Sequence, residues 1–370
     1  MKKTIKEDIY YSDYLQLNKL LDSQHLLSSD YDDLAHDEML FIITHQAYEL
    51  WFKQILHELR TIQAVFEQKP VDDKQLGVAT HRLQRILAIQ TLLIEQVNVL
   101  ETMTPLDFLD FRDYLVPASG FQSVQFKEIE IRLGLKSCYR IAFDQHSFYR
   151  RLTPQHQDYL KKLELQPSLL EQIDEWLARL PFLHFGEFNF WHSYQQAVDK
   201  MLNSDEQIII NNPHLDAQER EKQLKNLADT RNQFKQLLEP KAYQMQFDTG
   251  FYRISQDAFL AALFISLYRD EPMLQQPFKL LTCLMDIDER FTAWRTRHAQ
   301  MALRMLGRKV GTGGSSGHEY LSRTADHNKV FTDLFTLSTF LIPSSSRPEL
   351  PDAIKQSLGF YFSGKEKGHL

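Results

Sequence analysis

Three side chains stand where their chemistry is out of keeping with their neighbours. His45 lies in "MLFIITHQAYELW", one helical turn after Phe41. His298 lies in "FTAWRTRHAQMALRML", with Trp294 one turn before it and Met301 and Met305 on the same stripe. Arg112, in "LDFLDFRDYLVPASGFQS", shares a helical face with Phe108 and Leu115. A titratable ring or a guanidinium on an apolar face costs free energy unless a partner satisfies it. Each has a plain explanation: a core histidine bonded to a backbone carbonyl, or an arginine paired with Asp110, Asp113 or a distant acid. Each also has a chemical one. Neither histidine has zinc spacing, because the chain has no HExxH, no histidine pair four apart and no CxxC. A single imidazole on a Trp- and Met-rich face suits the iron of haem, which takes one proximal histidine and a large hydrophobic slot. A guanidinium in an apolar pocket grips a carboxylate through two parallel hydrogen bonds.

A fourth feature is "GRKVGTGGSSG", residues 307–317, which holds five of the 13 glycines. It resembles a phosphate loop but lacks the Lys-Ser or Lys-Thr pair, and the third glycine of a dinucleotide fingerprint falls on Ser316. A helical pattern precedes it where a strand is required. What remains is a pliant backbone with accessible N–H groups and the hydroxyls of Thr312, Ser315 and Ser316, suited to closing over an anionic or zwitterionic group.

The elements that must position these groups are helical. Apolar residues recur at three- and four-residue spacing over Asp37–Phe66, 73–102, 167–180, 215–238, 256–269 and 277–306, and alternating strand patterns are scarce, so the chain reads as all-α. Acidic residues at the start of the first of these suit the positive end of a helix dipole. The charged stretch 200–240 between Asn-Pro and Glu-Pro reads as a helical hairpin inserted into the bundle over 200–245. The tail 344–370 has loop chemistry first and a short amphipathic piece later, and is expected to pack loosely or to be partly disordered.

Net charge is −7 and no basic stretch offsets it, which argues against a nucleic-acid or anionic-membrane partner. The 25 phenylalanines point to a deep apolar interior or pocket, or simply to a large core. Cys138 and Cys283 are far apart and flanked by apolar residues, and read as buried thiols of a reducing compartment. "MKKTIKEDIYYSDY" has no apolar stretch after its lysines, so no signal peptide is expected. The run "FLAALFI" at 259–265 is too short to span a bilayer, and the expected location is the cytoplasm.

"HDEMLFIITHQAYELWFKQIL" (36–56), "LETMTPLDFLDFRDYLVPASGFQS" (100–123), "LLTCLMDID" (280–288) and "GTGGSSGHEYL" (311–321), in that order, resemble the tryptophan 2,3-dioxygenase family. The likeness runs from about Tyr10 to Pro343 and is weakest across 135–175 and 200–250. It implies a haem-binding helical bundle over 36–343, with haem b held by His298 as proximal ligand. It implies His45 on the distal side near the indole N–H, Arg112 on the substrate carboxylate, and Thr312 on the amino-acid end. Phe41, Phe108, Leu115 and Ser119 match pocket-lining positions. Tyr11, Tyr14 and Leu15, within 1–35, match a segment that completes a neighbouring subunit's pocket in a homotetramer, a dimer of dimers. The implied reaction joins O2 to L-tryptophan across the indole C2–C3 bond, giving N-formyl-L-kynurenine. Cys283 stands where Ser is more usual, and some members carry Tyr at the position of Phe108. Two alternatives stand beside it: a related haem oxygenase acting on another aromatic amino acid, and a non-catalytic haem or tryptophan sensor.

Overall fold

Helical periodicity in the sequence becomes helix almost throughout. A computed structural model describes residues 8–140, 148–181, 184–185, 188–307 and 317–359. Two short helices, α1 (Tyr11–Leu15) and α2 (Leu17–Leu21), lead into the long α3 (Glu38–Phe66) and α4 (Asp73–Leu100). Then follow α5 (Pro105–Arg112), α6 (Val124–Leu133), α7 (Pro154–Glu164) and α8 (Leu169–Leu177). The second half holds α9 (Phe190–Asn211), α10 (Ala217–Leu238), α11 (Pro240–Asp248) and α12 (Gln256–Leu267). It closes with α13 (Pro272–Leu306), α14 (Gly317–His327), α15 (Thr332–Thr336) and α16 (Asp352–Leu358). Two-residue strands β1 (His184–Phe185) and β2 (Phe188–Asn189) pair antiparallel, His184 opposite Asn189.

The helix starts follow from local chemistry. Asp72 caps α4 and Thr104 caps α5, each in a reciprocal box with the residue three positions on. Pro105 then occupies the first turn of α5, where its missing N–H costs nothing. The start of α3 is tied down differently. Glu38 is fully buried, and its carboxylate accepts from the amides of Leu27 and Ser28 and from the Ser28 hydroxyl. A short 3-10 turn, Leu27–Tyr31, is thereby fastened onto the first turn of α3.

Helix α13 packs along α4 and α14, and α3 along α4 and α6. Every residue of α12 from Ala258 to Leu267 is buried, so the apolar run singled out in the sequence is a core helix. No single helix among the described residues is long and apolar enough to cross a membrane. A second, smaller cluster, with Val97, Leu100, Met103, Phe111, Met301 and Met305, lies where α4, α5 and the end of α13 meet.

The charged stretch 200–240 comprises the second half of α9 and all of α10. Arg231 of α10 donates to Asn203 and Glu206 of α9, so the two helices run antiparallel. Two expectations need correction. Cys138 is exposed, on the 3-10 turn Ser137–Tyr139, where it is Tyr139 that packs against the core; Cys283 is buried as expected. The tail does not pack loosely as far as Gly359: Leu350, Ile354 and Leu358 are buried in the main core, each worth about 1.5–3 kcal/mol of apolar burial.

Candidate active site

Three helices bring the three anomalous side chains to one cavity. Its volume is about 310 Å³, and α3 contributes Phe41, His45, Tyr48, Glu49 and Phe52 to its wall. Phe108 and Arg112 of α5 form a second side, followed by Ser119 and Gly120 in the turn before α6. The third side is the α13 stripe Trp294, Arg295, His298, Met301, Ala302 and Met305, spaced at three and four residues. That stripe ends at Gly307, whose φ of +59° suits a residue without Cβ, while its amide still donates to the Leu303 carbonyl at 2.8 Å.

His45 Nδ1 lies 2.7 Å from the Phe41 carbonyl oxygen. A carbonyl only accepts, so Nδ1 carries the proton of the neutral ring and Nε2 is left as an acceptor. Burial holds the His45 pKa below its usual 6.5, against the Phe41 carbonyl and Glu49, which push it up. The ring sits 4.0 Å from that of Phe41, which in turn lies 5.8 Å from Phe108. Phe111 meets both phenylalanines edge-on beneath.

His298 is different. Its Nδ1 is buried and has no hydrogen-bond partner, and its ring borders the cavity 5.4 Å from that of Trp294. Burial, and secondarily the nearby His45, pushes its pKa down to about 4. The plain explanation therefore holds for one nitrogen of His45 and fails for His298. Both rings are neutral at pH 7, the form in which imidazole binds metals. Among the described residues no group of three His, Cys, Asp or Glu side chains converges to hold a bare ion.

Arg112 is the last residue of α5; a 3-10 turn, Asp113–Leu115, continues the chain. The Arg112 side chain is only 17 % exposed, and its contact with Asp113 is loose, 3.9 Å to a carboxylate that is 91 % exposed. Ser119 uses its hydroxyl oxygen to accept from the Phe121 amide, which fixes the turn at the cavity edge.

Of the positions expected at the site, Phe41, His45, Phe108, Arg112, Ser119 and His298 all line this cavity. Leu115 does not; it packs against the second cluster behind the wall. Tyr11, Tyr14 and Leu15 are exposed and line no part of it. Thr312 lies outside the described residues. Sequence reasoning missed the charged floor, where Lys127 and Glu130 of α6 meet Arg295 of α13 and Asn328 after α14. Arg295 stands three residues before His298, a spacing that puts the two on one helical face but does not by itself tell a buried charge from a solvated one.

A sequence model of the family described as "Tryptophan 2,3-dioxygenase" matches residues 1–341. A tryptophan 2,3-dioxygenase of Alteromonas mediterranea is 50% identical over 361 residues, 98% of this chain and 99% of the relative. One from Bdellovibrio bacteriovorus is 49% identical over 354 residues, covering 96% and 99%. One from Dictyostelium discoideum is 42% identical over 362 residues, covering 98% and 90%.

Proposed function

Since this chain belongs to the tryptophan 2,3-dioxygenase family, we propose that its cavity binds L-tryptophan beside haem b and, with O2, opens the indole ring to N-formyl-L-kynurenine. The observation that carries this reading is the convergence of His298, His45 and Arg112 on one aromatic-walled cavity. The residues suit haem. His298 is a neutral imidazole at the cavity wall, and Trp294, Phe126, Met301 and Leu321 supply the apolar slot. Among the described residues no group of three His, Cys, Asp or Glu side chains converges there, which suits a metal that brings donors of its own. Haem held there supplies reduced iron as the one-electron partner that triplet O2 needs to react with a closed-shell indole.

The chain's own residues then do the positioning. Arg112 grips the substrate carboxylate through two parallel bonds, and Phe41 and Phe108 fix the plane of the indole. His45 Nε2 accepts from the indole N–H and orients it, the proton on Nδ1 being committed to Phe41. Thr312 holds the amino-acid end. Both oxygen atoms of O2 enter the product as the C2–C3 bond breaks, so no oxidant beyond O2 and no net proton is consumed. We further propose that the chain works as a cytoplasmic homotetramer, a dimer of dimers. Tyr11, Tyr14 and Leu15, exposed in one subunit, complete the pocket of a neighbour.

The test is direct. Protein reconstituted with hemin, reduced, and given L-tryptophan and isotopically labelled O2 should release N-formyl-L-kynurenine carrying two labelled atoms. His298→Ala should lose the absorption spectrum of histidine-ligated haem. A wild-type protein that binds hemin with histidine ligation yet forms no such product with tryptophan would point to the sensor reading; product from tyrosine instead would point to the related oxygenase.

A further inference from the structure

The cavity floor is crossed by a buried ion pair that none of the proposed substrate contacts uses. Arg295 Nη2 donates to Glu130 at 2.8 Å, with the two side chains 6 % and 9 % exposed. Arg295 Nη1 donates at 2.8 Å to the carbonyl oxygen of Asn328. The guanidinium is flanked by the rings of Phe126 and Phe291, at 5.9 and 5.8 Å. One planar group thus joins α6, α13 and the turn after α14, three separate parts of the wall. Its Cα stands three residues before His298, so the bonds act within one turn of that ring. The same turn is held from α13 a second time, two turns earlier, where the Asp288 carboxylate accepts from the amides of Val330 and Phe331 at 2.8 and 2.6 Å.

We propose that Arg295 is a positioning residue for the reaction: its guanidinium, forked between Glu130 and the Asn328 carbonyl, fixes the rotation of α13 about its own axis and so the direction in which the His298 imidazole faces the cavity. The inference rests on the reading of His298 as iron ligand. A burial requirement alone does not explain the arrangement, since an apolar residue would fill the same space without a buried charge. Asp288 already supplies an anchor for the turn. What Arg295 adds is a link to α6, made with a rigid fork that a lysine cannot reproduce.

The holoenzyme variants Arg295→Lys, Glu130→Gln and Asp288→Asn test it. Arg295→Lys should speed hemin transfer to apomyoglobin about tenfold, as loss of a group that orients a metal ligand does. It should also shift the iron–histidine stretching band, and lower kcat while KM for tryptophan stays within about twofold. Glu130→Gln should move the same readouts in the same direction, and the double variant should do little more than either single change. Asp288→Asn, a cut to the anchor alone, should lower the melting temperature and leave the iron–histidine band in place. An unshifted band in Arg295→Lys, or equal shifts in Arg295→Lys and Asp288→Asn, overturns the proposal. If Arg295→Lys does not fold, Glu130→Gln decides: an unmoved band and hemin rate in that variant overturn it. A wild-type protein without histidine-ligated haem removes the reading of His298 and this proposal together, an outcome distinct from any difference among the variants.

Discussion

In the reading proposed above, Arg112 and His45 divide the work of holding an amino acid whose two ends differ in kind. The carboxylate end asks for a charged, bidentate donor, and Arg112 places a guanidinium, 17 % exposed, in the cavity wall. Arg112→Ala should therefore lower kcat/KM for tryptophan by an amount worth about 2–4 kcal/mol, and change turnover of tryptamine, which lacks the carboxylate, far less. Equal losses on the two substrates would make the arginine structural. The indole end asks for a neutral acceptor. Because burial lowers the His45 pKa, the ring stays neutral below pH 6.5 and is protonated only as pH falls through its lowered value. Facing it are Glu49 on its own helix, Arg112 on α5 and His298 on α13. Of these, Glu49 favours the protonated form and His298 disfavours positive charge nearby. The pH profile of kcat/KM should be flat from about pH 8 to 6.5 and fall below that, an arm that His45→Ala removes. A profile with an acid limb at or above pH 6.5 that survives His45→Ala would take the group out of the substrate's reach.

At the level of the element, the aim of His45 depends on where α3 begins. Glu38 sets that point by accepting three hydrogen bonds in a fully buried position. Glu38→Ala would strand two backbone amides and a hydroxyl, at a cost on the order of 3 kcal/mol or more, while Glu38→Gln keeps an acceptor and should cost less. Urea titration of both variants checks the order, and Phe41, one turn on, should register the damage as a higher KM. If the two variants unfold at the same urea concentration as wild type, the anchor is not what fixes α3. Residues of this kind also mark what was legible in the sequence. Long helices announced themselves by period, and His45, His298 and Arg112 stood out because a polar group on an apolar stripe is a local anomaly. Arg295 and Glu130 could not stand out. Each sits among other charges, in "WRTRH" and "FKEIEIRL", and only the packing of α6 on α13's neighbours shows that these two are buried and cancel. The tail failed for a related reason. Ile354 and Leu358 are one turn apart in a seven-residue helix, too short for periodicity to distinguish a docked segment from a loose one.

Across the whole molecule, apolar surface is distributed unevenly. Tyr10, Tyr11, Tyr14 and Leu21 are each 70 % exposed or more, and neither α1 nor α2 buries a single residue. Nearby, the outer face of α3 leaves Met39, Ile43 and Leu50 uncovered, and α4 leaves Leu92 and Val99, in both helices at spacings that share a face. The N-terminal segment is tied alongside α3 by Gln24, which donates to Gln46 at 2.7 Å. Helices of five residues hold no structure by themselves in water, so α1 and α2 need a surface to lie on, and against the described residues of their own subunit they bury nothing. Concentrated apolar exposure of this kind marks an interaction surface, and the reading proposed above fills it with neighbouring copies of the chain. Deleting residues 1–15 should then leave the fold of each subunit intact, since none of the described residues removed is buried. It should reduce the assembled mass seen by light scattering or the tryptophan turnover, or both. Turnover of the undeleted protein should fall on dilution into the range where the tetramer dissociates, and the fall should be reversed by concentration. A truncated protein that remains tetrameric and keeps full turnover would show that Tyr11, Tyr14 and Leu15 complete nothing.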